Sequence, residues 1–158
     1  MPTNLYGEKD NFNQETGHVI PSLINKFYIA EQKGTDVNVW GSGKAKREFM
    51  YVKDLASALS YIMTLTDEIF FFGDKFRNNH LNIGTGNEMT IKKLTLEISK
   101  HFNIQGKINF DKSMPEGVSK KLLDISKIKR LGWTPKTKLA KGLGKTIKYF
   151  RENFDKSY

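Results

Sequence analysis

One run constrains the fold more than any other: Val39-Trp40-Gly41-Ser42-Gly43-Lys44-Ala45-Lys46-Arg47-Glu48-Phe49-Met50-Tyr51-Val52-Lys53-Asp54. Val37, Val39 and Trp40 are strand formers. Gly41-Ser42-Gly43 has the composition of a tight turn, because glycine reaches positive φ without steric cost. Phe49, Tyr51 and Val52 suggest a second extended run that passes into a helix. The simplest reading is a hairpin with a solvated basic tip at Lys44, Lys46 and Arg47. The planar guanidinium of Arg47 also suits a phosphate or carboxylate, which it can hold with two parallel hydrogen bonds.

With 158 residues and 38% hydrophobic content, the chain can build one real core. It has no cysteine, which rules out disulfides, thiolate metal sites and a cysteine nucleophile within these residues. No apolar run approaches the roughly 18 residues that span a bilayer. No basic-then-apolar opening marks a secretory signal. These features lead us to expect a cytoplasmic protein that binds no membrane. The net charge of +9 allows nucleic acid or a phosphorylated ligand as partner. Its lysines are scattered among acids, without the interleaved aromatics of a single-strand platform, so nucleic acid is not expected.

In chain order, Pro2-Thr3-Asn4-Leu5-Tyr6-Gly7 reads as the end of a strand, and Glu8 to Gly17 as a surface loop. His18 to Ala30 reads as a helix, with Pro21 early and Val19, Ile20, Leu23, Ile24 and Phe27 forming its apolar stripe. His18 falls at its N-terminus, where the helix dipole favours anions. Lys26 lies on roughly the same side as His18 and Ser22. A helix from Val52 to about Leu65 carries Leu55, Leu59, Ile62 and Met63, with Ala56 and Ala58 for close packing. Thr66 to Asn79 reads as a loop in which Phe70-Phe71-Phe72 is partly buried. His80-Leu81-Asn82-Ile83-Gly84 reads as a strand, ending in a structural turn, Gly84-Thr85-Gly86. Thr90 is an N-cap for a helix through Ile91, Leu94, Ile98 and Phe102. Ile108 to Phe110 reads as a strand, and Ser126 as the cap of a short helix. Leu139, Leu143, Ile147, Phe150 and Phe154 mark a last helix, and Asp155 to Tyr158 should fray.

Together these blocks resemble the C-terminal half of the GDP-L-fucose synthase family, within the extended short-chain dehydrogenases/reductases and the NAD-dependent epimerases and dehydratases. The resemblance rests on Pro2 to Gly7 with Asp10-Asn11-Phe12, on His18-Val19-Ile20-Pro21 and on Val39 to Asp54. It continues through Leu81 to Gly86, Phe110-Asp111, Lys121 to Asp124 and Leu131-Gly132-Trp133. It implies an α/β fold: a substrate-binding portion with a few strands of an incomplete Rossmann-like sheet. The implied division is 1–17 as the end of the Rossmann part, 18–50 as substrate domain, 51–88 as a return to the Rossmann part, and 89–158 as substrate domain.

Full-length relatives make GDP-L-fucose from GDP-4-keto-6-deoxy-D-mannose by 3,5-epimerisation and NADPH-dependent 4-reduction. The resemblance implies that Pro2, Thr3, Asn4 and Leu5 line the nicotinamide side of an NADP(H) site. It implies that His18 contacts that site and acts as an acid in epimerisation. Lys26, Trp40, Arg47 and Glu116 are the implied contacts to the GDP-sugar, with Arg47 at the diphosphate. Many relatives have arginine where Lys26 stands and aspartate where Glu116 stands. The implied partners are the GDP-sugar, a companion chain carrying the N-terminal half, and a second copy, since the family forms homodimers. No metal set is implied. The family's glycine-rich phosphate turn and Tyr-x-x-x-Lys pair do not occur in the sequence. By itself this chain is therefore expected neither to hold NADP(H) well nor to reduce a ketone. Two other readings stay open, a portion of another nucleotide-sugar epimerase or dehydratase and a non-catalytic binding module.

Overall fold

The computed structural model describes residues 1–71, 73 and 80–154. Phe72, residues 74–79 of the Thr66–Asn79 connection, and the expected frayed end at 155–158 lie outside the described residues. The order of elements is β1 (Asn4–Tyr6), α1 (Val19–Lys33), β2 (Val37–Trp40), β3 (Lys46–Tyr51), α2 (Val52–Ile62) and α3 (Asp67–Phe70). Then come β4 (Glu88–Thr90), α4 (Ile91–Ser99), β5 (Ile108–Asp111), β6 (Lys120–Lys121), α5 (Ser126–Arg130) and α6 (Leu139–Phe154). The class is α/β, as expected, and most strand pairs are parallel.

The opening run is not a hairpin. β2 pairs with β5 in parallel, Val37 opposite Ile108 and Val39 opposite Phe110. β3 belongs to the other sheet, parallel to β1 and β6 and antiparallel to β4. The turn between β2 and β3 therefore crosses from one sheet to the next. Its residues Gly41, Gly43 and Ala45 are buried, while the basic side chains of Lys44 and Lys46 are exposed as expected. Local sequence could not reveal the crossing, because strand propensity is indifferent to which partner supplies the ladder.

β3 is central to the molecule. Side chains alternate across a strand. Met50 packs in a core with Ala58, Leu81, Ile83, Ile125, Ile128 and Trp133. Tyr51 belongs to the other core, with Tyr6, Phe12, Ile20, Leu23, Ile24, Phe27, Leu94, Leu143 and Phe150, and Phe49 packs against it. Glu48 shares the Met50 face; Arg47 shares the Phe49 and Tyr51 face.

Several local expectations need adjusting. α1 runs to Lys33 and stops at Gly34, which takes the left-handed conformation at φ 65°. Val19 is exposed, while Ile20, Leu23, Ile24 and Phe27 are buried. In α2 only Ala58 supplies close packing, and Ala56 is exposed. Leu81–Gly84 does not form a strand: a single parallel bridge joins Ile83 to Pro2. Thr90 caps α4 as expected, its hydroxyl accepting the Lys93 amide at 3.1 Å, but α4 ends at Ser99 and Phe102 lies beyond it. Ser126 does not cap α5. The Asp124 carboxylate accepts both its amide, at 2.8 Å, and its hydroxyl, at 2.5 Å. Phe70 closes the short helix α3 inside the expected loop, and Phe70 and Phe71 are half-buried. Among the described residues no helix is long and apolar enough to cross a membrane.

Candidate functional site

α1 supplies one wall of the site, and its approach is fixed by the loop before it. Phe12 packs on Phe150 and Phe154 with ring centroids 4.8 and 5.1 Å away. The Asn25 side chain donates to the Phe12 carbonyl at 2.7 Å. Ser22 donates its hydroxyl to the Gln14 carbonyl at 2.8 Å. The loop's start is held by Glu8, whose carboxylate accepts the Tyr51 hydroxyl at 2.7 Å and pairs with Lys53 at 3.0 Å. Burial alone would raise the Glu8 carboxyl, but the Tyr51 hydroxyl and then Lys53 outweigh it and hold it below the usual carboxylate range. His18 emerges at the N-cap position of α1, exposed and without a side-chain capping bond.

Three clefts meet along this wall. The first, of about 410 Å³, is lined by Thr3, Asn4, Leu5, Glu8, Asp10 and His18, among others. A small one of about 60 Å³ is lined by Asn4, Leu5, His18, Val19, Arg47 and Phe49, among others. A third, of about 160 Å³, takes in Val19, Leu23, Lys26, Trp40, Arg47 and Glu116. His18 borders the first two, and Arg47 the last two. The path thus runs from Thr3–Leu5 past His18 to Arg47 and on to Trp40 and Lys26.

Most of the expected site residues lie on this path, with two qualifications. Pro2 is exposed at its bridge to Ile83 and is not among the lining residues. Glu116 lines the third cleft, but its carboxylate is engaged. It accepts the Ser42 hydroxyl at 2.6 Å and the Ala45 amide at 3.2 Å. It thereby pins the turn that places Trp40 and Arg47. That turn needs its glycines: Gly41 and Gly43 have φ of 80° and 74°. A Cβ on Gly41 would lie 3.1 Å from Glu116 Cγ, and one on Gly43 would lie 2.5 Å from Phe110 Cε1.

Lys26 Nζ donates to the Asn38 carbonyl at 3.0 Å and lies 5.0 Å from the Trp40 ring centre, a cation–π arrangement. Burial lowers the proton affinity of Lys26 below that of a free lysine. Trp40 remains 43% exposed, so much of its surface is available to a ligand. Arg47 Nη1 donates to its neighbour's carbonyl, Lys46 O, at 2.8 Å. The Thr3 hydroxyl and the Asn4 amide both donate to the Glu48 carbonyl, at 3.2 and 2.8 Å.

Beneath the site, Glu48 is fully buried. Its carboxylate accepts the amides of Thr85 at 2.5 Å, Gly86 at 2.7 Å and Leu123 at 3.2 Å. Gly84-Thr85-Gly86 is therefore a structural turn wrapped on a carboxylate, as expected, and not a phosphate cradle. Residues that sequence reasoning missed are Gln14, Glu15 and Ser22, which line the third cleft. The loop before a helix gave no composition signal that it folds back over that helix. Among the described residues no cluster of three or more metal-ligating side chains occurs.

An NADP(H) molecule would meet only part of a site here. Thr3, Asn4, Leu5 and His18 line one wall of the first cleft. Among the described residues, no glycine-rich turn lines that cleft for the pyrophosphate.

The chain is 42% identical over 157 residues to the GDP-L-fucose synthase of Escherichia coli strain K12, covering 99% of this chain and 49% of that protein. It is 42% identical over 154 residues to a probable GDP-L-fucose synthase 1 of Oryza sativa subsp. japonica, covering 97% of this chain and 44% of the relative. The solved GDP-L-fucose synthetase of Naegleria fowleri superposes with a TM-score of 0.85 at 34% identity, over 98% of this chain and 46% of that one. A second structure of that protein is bound to NADP. The chain spans about half the length of the curated relatives it matches. The NAD dependent epimerase/dehydratase family model matches residues 1–84. That model covers more than half of the chain, and the α/β architecture agrees with it: the chain belongs to the NAD dependent epimerase/dehydratase family.

Proposed function

We propose that this chain is the nucleotide-sugar-binding half of a GDP-L-fucose synthase-type enzyme, acting on GDP-4-keto-6-deoxy-D-mannose. The observation that carries the reading is the order of groups along the joined clefts: His18, then Arg47, then Trp40 with Lys26. A GDP-sugar laid along that path puts its hexose at His18, its diphosphate at Arg47 and its base towards Trp40. Arg47 matches the diphosphate by charge and by its planar fork.

In this reading His18 acts as the acid for 3,5-epimerisation. A base outside these residues would take the proton beside the C4 ketone, leaving an enolate, and His18 would deliver a proton to the other face and invert the carbon. A bound NADPH would supply the hydride for 4-reduction. The residues here would hold only its nicotinamide end, through Thr3, Asn4, Leu5 and His18. Reduction thus needs a glycine-rich phosphate turn and a Tyr-x-x-x-Lys pair, which these residues do not supply. Residues 1–17 and 51–88 would belong to the dinucleotide-binding sheet, and 18–50 with 89–158 would form the substrate domain. Homodimerisation and a cytoplasmic setting belong to the same reading.

Titration calorimetry with GDP, UDP and dTDP tests it. We expect GDP to bind most tightly and Arg47→Ala to weaken it by about tenfold or more, the scale of a charge-assisted contact. Equal affinity for all three nucleotides, or an Arg47→Ala variant that binds GDP unchanged, would overturn it.

A further inference from the structure

Glu15 offers a carboxylate to the third cleft that the roles assigned above do not use. That cleft is lined by two carboxylate residues, Glu15 and Glu116. Glu116 is engaged by Ser42 and Ala45. The Glu15 carboxylate is exposed and makes no hydrogen bond or ion pair among the described residues. Its backbone, by contrast, is tightly held. The Asn13 side chain accepts the amides of Glu15 at 2.9 Å and Thr16 at 3.0 Å, and the Gly17 amide donates to the Asn13 carbonyl at 3.0 Å. The bond from Ser22 to the Gln14 carbonyl sets this turn over the helix one turn beyond His18 and one turn before Lys26. Glu15 borders neither of the two clefts that contain His18.

The surroundings suit a flat heteroaromatic ring. Leu23, Val39 and Ile91 make apolar walls, with Trp40 beside them. Such a slot accepts any base by stacking and cannot by itself tell one base from another. A carboxylate can: it accepts two parallel hydrogen bonds from adjacent donors in one plane. Guanine offers that pair as N1–H and its 2-amino group. Adenine and uracil offer no such adjacent pair on one edge, and hypoxanthine keeps N1–H but lacks the amino group.

We propose that Glu15 is the specificity-determining residue for the base, accepting guanine N1–H and the 2-amino group within the third cleft. This deepens the nucleotide-sugar reading above and rests on it. The held turn means that little ordering is needed when the base arrives.

Titration calorimetry of the chain with GDP, inosine diphosphate and ADP tests the assignment. The wild-type chain should prefer GDP to inosine diphosphate by about tenfold, the scale of one hydrogen bond to a charged acceptor. Glu15→Gln cannot accept both donors, so the preference should fall towards one, while inosine diphosphate loses little further. Glu15→Asp should recover part of the preference. Because Glu15 is exposed on a surface turn, these variants should melt as the wild type does. A preference unchanged in Glu15→Gln overturns the assignment while leaving the GDP-sugar reading intact. A uniform rise in affinity for all three nucleotides also overturns it, since that outcome places the carboxylate beside the diphosphate. If none of the three nucleotides binds the wild-type chain, the reading on which this one rests fails first.

Discussion

Glu48 receives the amide of Gly86 at 2.7 Å inside a core that its charge would otherwise disrupt. The same carboxylate holds Thr85 and Leu123 by their amides, so one side chain ties β3 to two distant segments. A buried donor left without its acceptor is costly. Glu48→Ala should therefore destabilise the chain by about 3–5 kcal/mol in urea denaturation. Gly84→Ala should lose about 1–3 kcal/mol through overpacking, because the added Cβ would lie 2.9 Å from Glu48 Cδ. Wild-type midpoints in both variants would rule out Glu48 as the anchor.

Glu116 gives the turn after β2 a pH dependence. The Ser42 hydroxyl above all, with the Ala45 amide and neighbouring backbone amides of the turn, holds its carboxyl below the usual carboxylate range against the opposing effect of burial. A depressed folded-state value contributes stability that is present above the unfolded value, about 4.3. That contribution is lost as the pH falls through the lowered folded value. The Ala45 amide resonance should therefore hold steady from neutrality through the usual carboxylate range and shift only below it. Glu116→Gln should remove the shift; its persistence would assign the titration to another group.

Lys26 should give nucleotide binding a decline on the alkaline side. Burial lowers its proton affinity, so its charge is lost earlier than that of a free lysine, about 10.4. Affinity for GDP should begin to fall at a lower pH than a free lysine would dictate in the wild type and stay flatter in Lys26→Arg, whose guanidinium keeps its proton. Equal slopes in the two proteins would remove Lys26 from the binding charge.

Asp54 fastens the connector before α6. Its carboxylate accepts the Thr137 amide at 2.9 Å and hydroxyl at 3.0 Å from the first turn of α2. Asp54→Ala should lower stability by about 2–3 kcal/mol, and amide exchange should accelerate around Thr137 before it does in α1. Uniform acceleration across the chain would mean that the tether has no local effect.

The helices were the legible part of this fold. α1 and α6 carry apolar stripes wide enough to name their buried faces, and Thr90 has the chemistry of a cap that local sequence can identify. Pairing was not legible. Val39 and Phe49 read as two strands of one hairpin because the turn between them has hairpin residues. Their partners, Phe110 and Asn4, come from remote parts of the chain. At the site, Arg47 and Trp40 could be named from type and resemblance. The engagement of Glu116 by Ser42, and the folding of Gln14–Glu15 over α1, depend on contacts across the chain that no local window contains.

Trp40 ends a strand of one sheet, and Arg47 stands in a strand of the other, with only the Gly41–Lys46 connection between them. Any molecule gripped by both residues is a splint across the joint between the two sheets. Occupancy should therefore tie β2 to β3 as well as fill a cleft.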